Sequence, residues 1–223
     1  MGEGERISRR RALELAASTA VSAGTLDALS GSADAKPPAA SAAPQTVMLI
    51  RHAEKPAKSG SPFGVTATGI QDDKSLLVLG WKRAGALVEL FAPAVGSIRP
   101  GLVEPTSLFA ADPHHESQRP LETITPLSAR LGFKIHAKIK PSDAKGIGTL
   151  LASTPGARLA AWQHQYIPSI ATHLGTVNPS PPAKWPGNRF DIVWVFTRQS
   201  NGSWAFTQVP QLLLAGDSSS VIS

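Results

Sequence analysis

The sequence predicts an α/β fold of three layers: a mostly parallel central sheet, helices on both faces, and a β-hairpin at the C-terminal end. Three observations carry this. Short, wholly apolar runs alternate with segments of helical periodicity, the pattern of parallel strands buried on both faces. Polar clusters follow directly on those runs. Finally, Asn201-Gly202 separates two β-rich segments near the end, a strong hairpin signal.

Residues 46–50 are the first buried strand. Residues 75–91 carry apolar positions at helical spacing. Residues 106–110 are a second strand, and 117–131 a helix closed by Gly132, suited to a left-handed C-cap. Residues 134–139 form a short strand. A helix over 142–153 is capped by Ser142. Residues 157–162 are a third central strand, followed by a helix near 167–174. Residues 176–189, rich in Pro and Gly, are a long loop, and 190–198 with 203–209 make the hairpin.

The first 45 residues differ in kind. Ser8-Arg9-Arg10-Arg11-Ala12-Leu13 resembles the twin-arginine export motif, with Ala12 in place of the usual aromatic residue. A weakly apolar stretch runs from Leu13 to Leu29, and Ala33-Asp34-Ala35 forms a small-x-small cleavage site. The expected organisation is a signal peptide over 1–35, a linker over 36–45, a domain over 46–217 and a tail over 218–223. The expected location is periplasmic or extracellular.

No apolar run reaches the 18 residues that a spanning helix needs. The chain has no cysteine, which excludes disulfides, thiolate nucleophiles and thiolate metal sites. The net charge is +6, and the body carries more than all of it: Arg6, Arg9, Arg10 and Arg11 are outnumbered by five acids within 1–35, which leaves +7 on the rest of the chain. A basic body favours anionic partners.

In an open parallel sheet, ligands bind beyond the carboxyl ends of the strands. Arg51 and His52 follow the first strand. Asp112 follows the second, with Arg119 opening the next helix, and His164 follows the third. Two arginines and two histidines on one edge suit an oxyanion. The guanidinium fork matches phosphate, and neighbouring cations keep a histidine neutral and nucleophilic.

These residues resemble the histidine phosphatase superfamily, which includes the phosphoglycerate mutases. Leu49-Ile50-Arg51-His52-Ala53-Glu54-Lys55 is similar to its first motif, and Leu79-Gly80-Trp81-Lys82-Arg83-Ala84 to its helix opening. Arg119-Pro120-Leu121-Glu122-Thr123 is similar to its arginine segment, and Trp162-Gln163-His164 to its second-histidine strand end. The resemblance implies a metal-independent phosphomonoester hydrolase without cofactor. His52 would form a phosphohistidine, and Arg51, Arg119 and His164 would bind the phosphoryl oxygens.

The sequence departs from the family in the acid. Many members carry a glutamate between the arginine segment and the second histidine, whereas Asp143 is the only acid between Lys134 and Ala161 here. Gln165 stands where the acid-phosphatase branch has Asp, and Ala53 where Gly is usual. The candidates for the leaving-group acid are Asp112, Glu116, Glu54 and Glu122, in that order. A phosphate- or polyanion-binding module that has lost turnover is the alternative. The expected partner is a phosphorylated small molecule or a polyanion, with no specific nucleic acid. His114-His115 forms no chelating pattern, and no three-ligand spacing occurs.

Overall fold

The structure, a computed structural model, describes residues 45–223, which lie within one unit, Ala42–Ser223. The expected signal peptide and all of the linker but Gln45 fall outside the described residues. The elements are β1 (Thr46–Arg51), α1 (Val78–Phe91), β2 (Ser107–Ala111), α2 (Arg119–Leu131), β3 (Ile135–Ile139), α3 (Ala144–Ser153), β4 (Ala157–Trp162), α4 (Ile167–Thr172), β5 (Val177–Asn178), β6 (Ile192–Arg198) and β7 (Trp204–Pro210).

The sheet has the order β3-β2-β4-β1-β6-β7-β5. The first four strands are parallel. β6 then runs antiparallel to β1 and β7 antiparallel to β6, with β5 parallel to β7. The period-2 alternation of a strand sorts β1 between the two faces. Val47 and Leu49 pack with Ile147, Leu151, Ile167 and Ile170 of α3 and α4, while Met48 and Ile50 pack with Leu87, Leu90, Ile124 and Leu127 of α1 and α2. Each such fully buried side chain contributes about 1.5–3 kcal/mol. Two helical layers thus enclose one sheet, as the sequence predicts.

The differences are local. α1 begins at Val78 rather than 75, because Ser75 and Leu76 instead give their hydroxyl and N–H to the carboxylate of Glu122. α3 is capped by Asp143, whose carboxylate accepts from the Gly146 N–H at 2.8 Å, and not by Ser142. The loop 176–189 contains β5, a two-residue strand on the hairpin edge. Gly132 does close α2 at φ +70°. Residues 218–223, read as a tail, pack on the body: Ile222 is buried, and its N–H and C=O bond the Gln208 amide at 3.0 and 2.8 Å.

One close approach fixes the segment after β1. A Cβ on Gly80 would lie 2.6 Å from the carbonyl oxygen of Glu54, so α1 rests directly on the backbone two residues past His52. Among the described residues, no helix is long and apolar enough to cross a membrane.

Candidate active site

The carboxyl ends of β1, β2 and β4 converge, as strand order requires, and the chain continues from each into the site. The His52 N–H extends the β1–β4 ladder by donating to the Trp162 carbonyl at 2.9 Å. The Ala53 N–H donates to Thr123 Oγ1 at 2.8 Å, and that hydroxyl donates back to the Arg119 carbonyl within α2. β1 and the first turn of α2 are therefore pinned together around the histidine.

The imidazole of His52 is 3% exposed. Its Nδ1 lies 2.7 Å from the Ala53 carbonyl oxygen. A carbonyl only accepts, so Nδ1 carries the proton and Nε2 keeps its lone pair. Burial, with Arg51, Arg119 and His164 adding positive field, pushes the His52 pKa down to about 3. The ring is neutral and of fixed tautomer throughout the ordinary pH range.

Arg51 is 1% exposed and lies 3.8 Å over the ring of Phe190, a cation–π contact. Its Nη1 donates to the Gly187 carbonyl at 2.5 Å and to the Arg189 carbonyl at 3.3 Å. Its Nε and Nη2 have no protein partner. Burial lowers its pKa to about 10, which still leaves it charged at neutral pH. Arg119 donates to the Ser75 and Asp73 carbonyls, and burial lowers its pKa as well. His164 is half-buried, with Nδ1 buried and unpartnered. Burial first, then Arg51 and Lys55, holds its pKa below the usual histidine value.

His52, Arg119 and His164 line one cavity of about 190 Å³, together with Lys55, Glu116, Ser117, Gln163 and Gln165. Arg51 is not on its lining but acts on both histidines through its field. Unpartnered donors, two arginines and a neutral imidazole form a site that can hold a tetrahedral oxyanion and attack it.

The four candidate acids separate sharply. Asp112 is held in its own turn, accepting the His114 N–H at 2.9 Å with His115 Nε2 at 3.8 Å, and it does not line the cavity. Glu54 faces away from the cavity into a buried cluster. There Arg83 Nη2 meets Glu54 Oε1 at 2.8 Å and Asp217 Oδ1 at 2.7 Å. Glu122 is occupied by Ser75 and Leu76, and burial raises its carboxyl. Glu116 alone of the four lines the cavity. Its backbone sits at φ +59°, a left-handed conformation costing an L-residue about 1–2 kcal/mol, and its Oε1 accepts the Tyr166 hydroxyl at 2.8 Å. Sequence order ranked Asp112 first because it ends a strand, but the strand end is where its carboxylate closes a turn. Lys55, Ser117 and Gln163 also line the cavity; Lys55 and Gln163 lie within quoted motifs and Ser117 just before the arginine segment, so position beside Arg51, His164 and Arg119 could have marked them.

No family model matches this sequence, and no curated protein does. Among solved structures the chain is similar to the protein histidine phosphatase SixA complexed with tungstate, with a TM-score of 0.48, 13% identity, and coverage of 74% of this chain and 97% of that one. It is similar to a mycobacterial hydrolase, with a TM-score of 0.45, 14% identity, and coverage of 73% and 96%. It is also similar to YhfR of Bacillus stearothermophilus, with a TM-score of 0.39, 12% identity, and coverage of 71% and 93%. At such identities the likeness is one of chain path alone, and the residue roles come from the geometry.

Proposed function

We propose that this chain is a member of the histidine phosphatase superfamily that hydrolyses phosphomonoesters through a phosphohistidine on His52. The observation that carries the proposal is the buried, neutral imidazole whose Nδ1 is committed to the Ala53 carbonyl, leaving Nε2 as a nucleophile among Arg51, Arg119 and His164. The Nε2 lone pair forms the N–P bond as the ester P–O bond breaks. Arg119 and His164 stabilise the phosphoryl oxygens from the cavity wall, and the charge of Arg51 adds to them through its field. Glu116 gives its proton to the leaving oxygen. Water then attacks phosphorus, its proton returns to Glu116, and the N–P bond breaks to release phosphate.

The test is turnover of an aryl phosphate in excess chelator, beside His52→Asn. The expected result is chelator-resistant hydrolysis that falls by about 10⁴ or more in the variant. A wild-type protein that is folded and inert overturns the proposal. The second reading, a binding module without turnover, draws on one observation: Asp112, Glu54 and Glu122 are all engaged away from the cavity. It predicts that vanadate raises the melting temperature of a chain that hydrolyses nothing. We also propose that residues 1–35 direct export, which a reporter fused to residues 1–45 tests by its appearance outside the cytoplasm.

A further inference from the structure

The cavity around His52 has a neighbour across His164. Beyond His164 and Gln165 lies a pocket of about 240 Å³ that is also bounded by Pro168, Ala183, Lys184 and Trp185. Pro168 and Ala183 in turn form the rim of a concavity of about 600 Å³, between α4 and the loop that follows β5. Each adjoining pair shares two lining residues, so the three spaces lie side by side along one trough-like stretch of surface.

Its chemistry changes along its length. The His52 end is cationic, with Lys55, Arg119 and His164. Lys184 stands at the middle. Among the described residues no charged side chain lines the far end, where Pro168, Ala171, Val177, Pro181 and Pro182 supply the walls and small hydroxyls interrupt them.

Two parts of the far wall, at Val177 and Ala171, are held by the sheet and the core. Val177 pairs with Trp204 in the sheet. The Trp204 N–H donates to the Thr176 carbonyl and its Nε1 to the Leu174 carbonyl, each at 2.8 Å. Ala171 is 1% exposed, part of the core beneath. A concave, uncharged, pre-formed surface opening onto an oxyanion site is built for the apolar part of a ligand whose polar end sits elsewhere.

We propose that this trough is the leaving-group subsite, and that the substrate is a phosphomonoester of an extended apolar alcohol. The inference rests on the phosphatase proposal for the same site. It replaces the polyanion that the charge of the chain suggests: cations gather at the phosphoryl end, Lys184 alone stands at the middle, and the far end that would take most of the alcohol is lined by none.

The test is a series of 4-alkylphenyl phosphates from hydrogen to octyl, used below their micelle concentrations. Alkyl length hardly alters phenol acidity, so chemistry is constant and only burial changes. The expected result is a kcat/KM rising roughly two- to fourfold per methylene until the trough is filled, the lower value for a chain half exposed to water. Ala183→Trp, on an exposed loop position that lines both the middle and the far pocket, is expected to collapse the ratio of long-chain to short-chain kcat/KM. Thr172→Lys, which brings a charge to the far end, is expected to reduce that ratio as well. Melting temperatures check the fold of both variants. Turnover indifferent to chain length, or a ratio unmoved in both folded variants, overturns the inference alone. Absence of turnover with every ester overturns the phosphatase proposal, and the inference with it.

Discussion

The burial of a neutral histidine makes the stability of the protein depend on pH in a calculable way. In the unfolded chain His52 titrates at about 6.5, and in the folded protein at about 3. The folded value is the lower, so between the two the unfolded state binds the extra proton. Stability is therefore full above 6.5, falls as pH decreases through that value, and stops falling near 3. From pH 7 to pH 5 the contribution of His52 alone is a loss of about 2 kcal/mol, since each unit inside the window is worth about 1.4 kcal/mol. His164, with its pKa also lowered, acts in the same direction. The informative perturbation is His52→Asn, because an amide nitrogen can keep the donor to the Ala53 carbonyl while removing the titrating group. Urea unfolding at pH 7 and pH 5 on both proteins gives two differences. Loss of ring packing lowers the variant at both pH values and cancels. The wild type should lose about 2 kcal/mol more than the variant over this interval. Equal losses would refute the burial and charge environment assigned to His52, whatever the function of the protein.

Two further outcomes follow from the same geometry. Glu116→Gln should slow hydrolysis of alkyl phosphates, whose leaving oxygen needs a proton, by about 10²–10⁴ while barely changing that of 4-nitrophenyl phosphate; an equal effect on both would remove Glu116 from proton transfer. Gly80→Ala should cost about 1–3 kcal/mol in urea unfolding, because its Cβ would lie 2.6 Å from the Glu54 carbonyl oxygen, even though alanine is the better helix former; a neutral or stabilising result would mean that α1 is free to move off the segment after β1.

What the sequence discloses and what it hides divide along a physical line. β1, β2 and β4 are legible because burial on both faces demands unbroken apolar runs. The site edge follows from them, since a parallel sheet has only one carboxyl end. The short β5 is not legible: Val177 and Asn178 owe their strand to pairing with Trp204 and Ala205, residues far along the chain, and not to local preference. The choice among acids is hidden for a similar reason. Whether Glu54 is available depends on Arg83 and Asp217, which only the folded chain brings to it. One signal was present. Arg83 falls on the buried side of α1 with Gly80, Ala84 and Leu87, and a cation at such a position requires a carboxylate partner. The claim of Ser75 and Leu76 on Glu122 likewise needs tertiary contact before it can be seen, and it is the same contact that delays the start of α1.

The place of β1 in the sheet has a consequence for time as well as for position. It lies between β4 and β6, with Thr46 to Ile50 paired to a strand on each side. A strand at an edge can fray by losing one ladder, whereas this one leaves its place only if the sheet divides. The amides of Leu49 and Ile50 should accordingly exchange with solvent deuterium only through global unfolding. The dry surroundings of the neighbouring histidine then last as long as the native state itself.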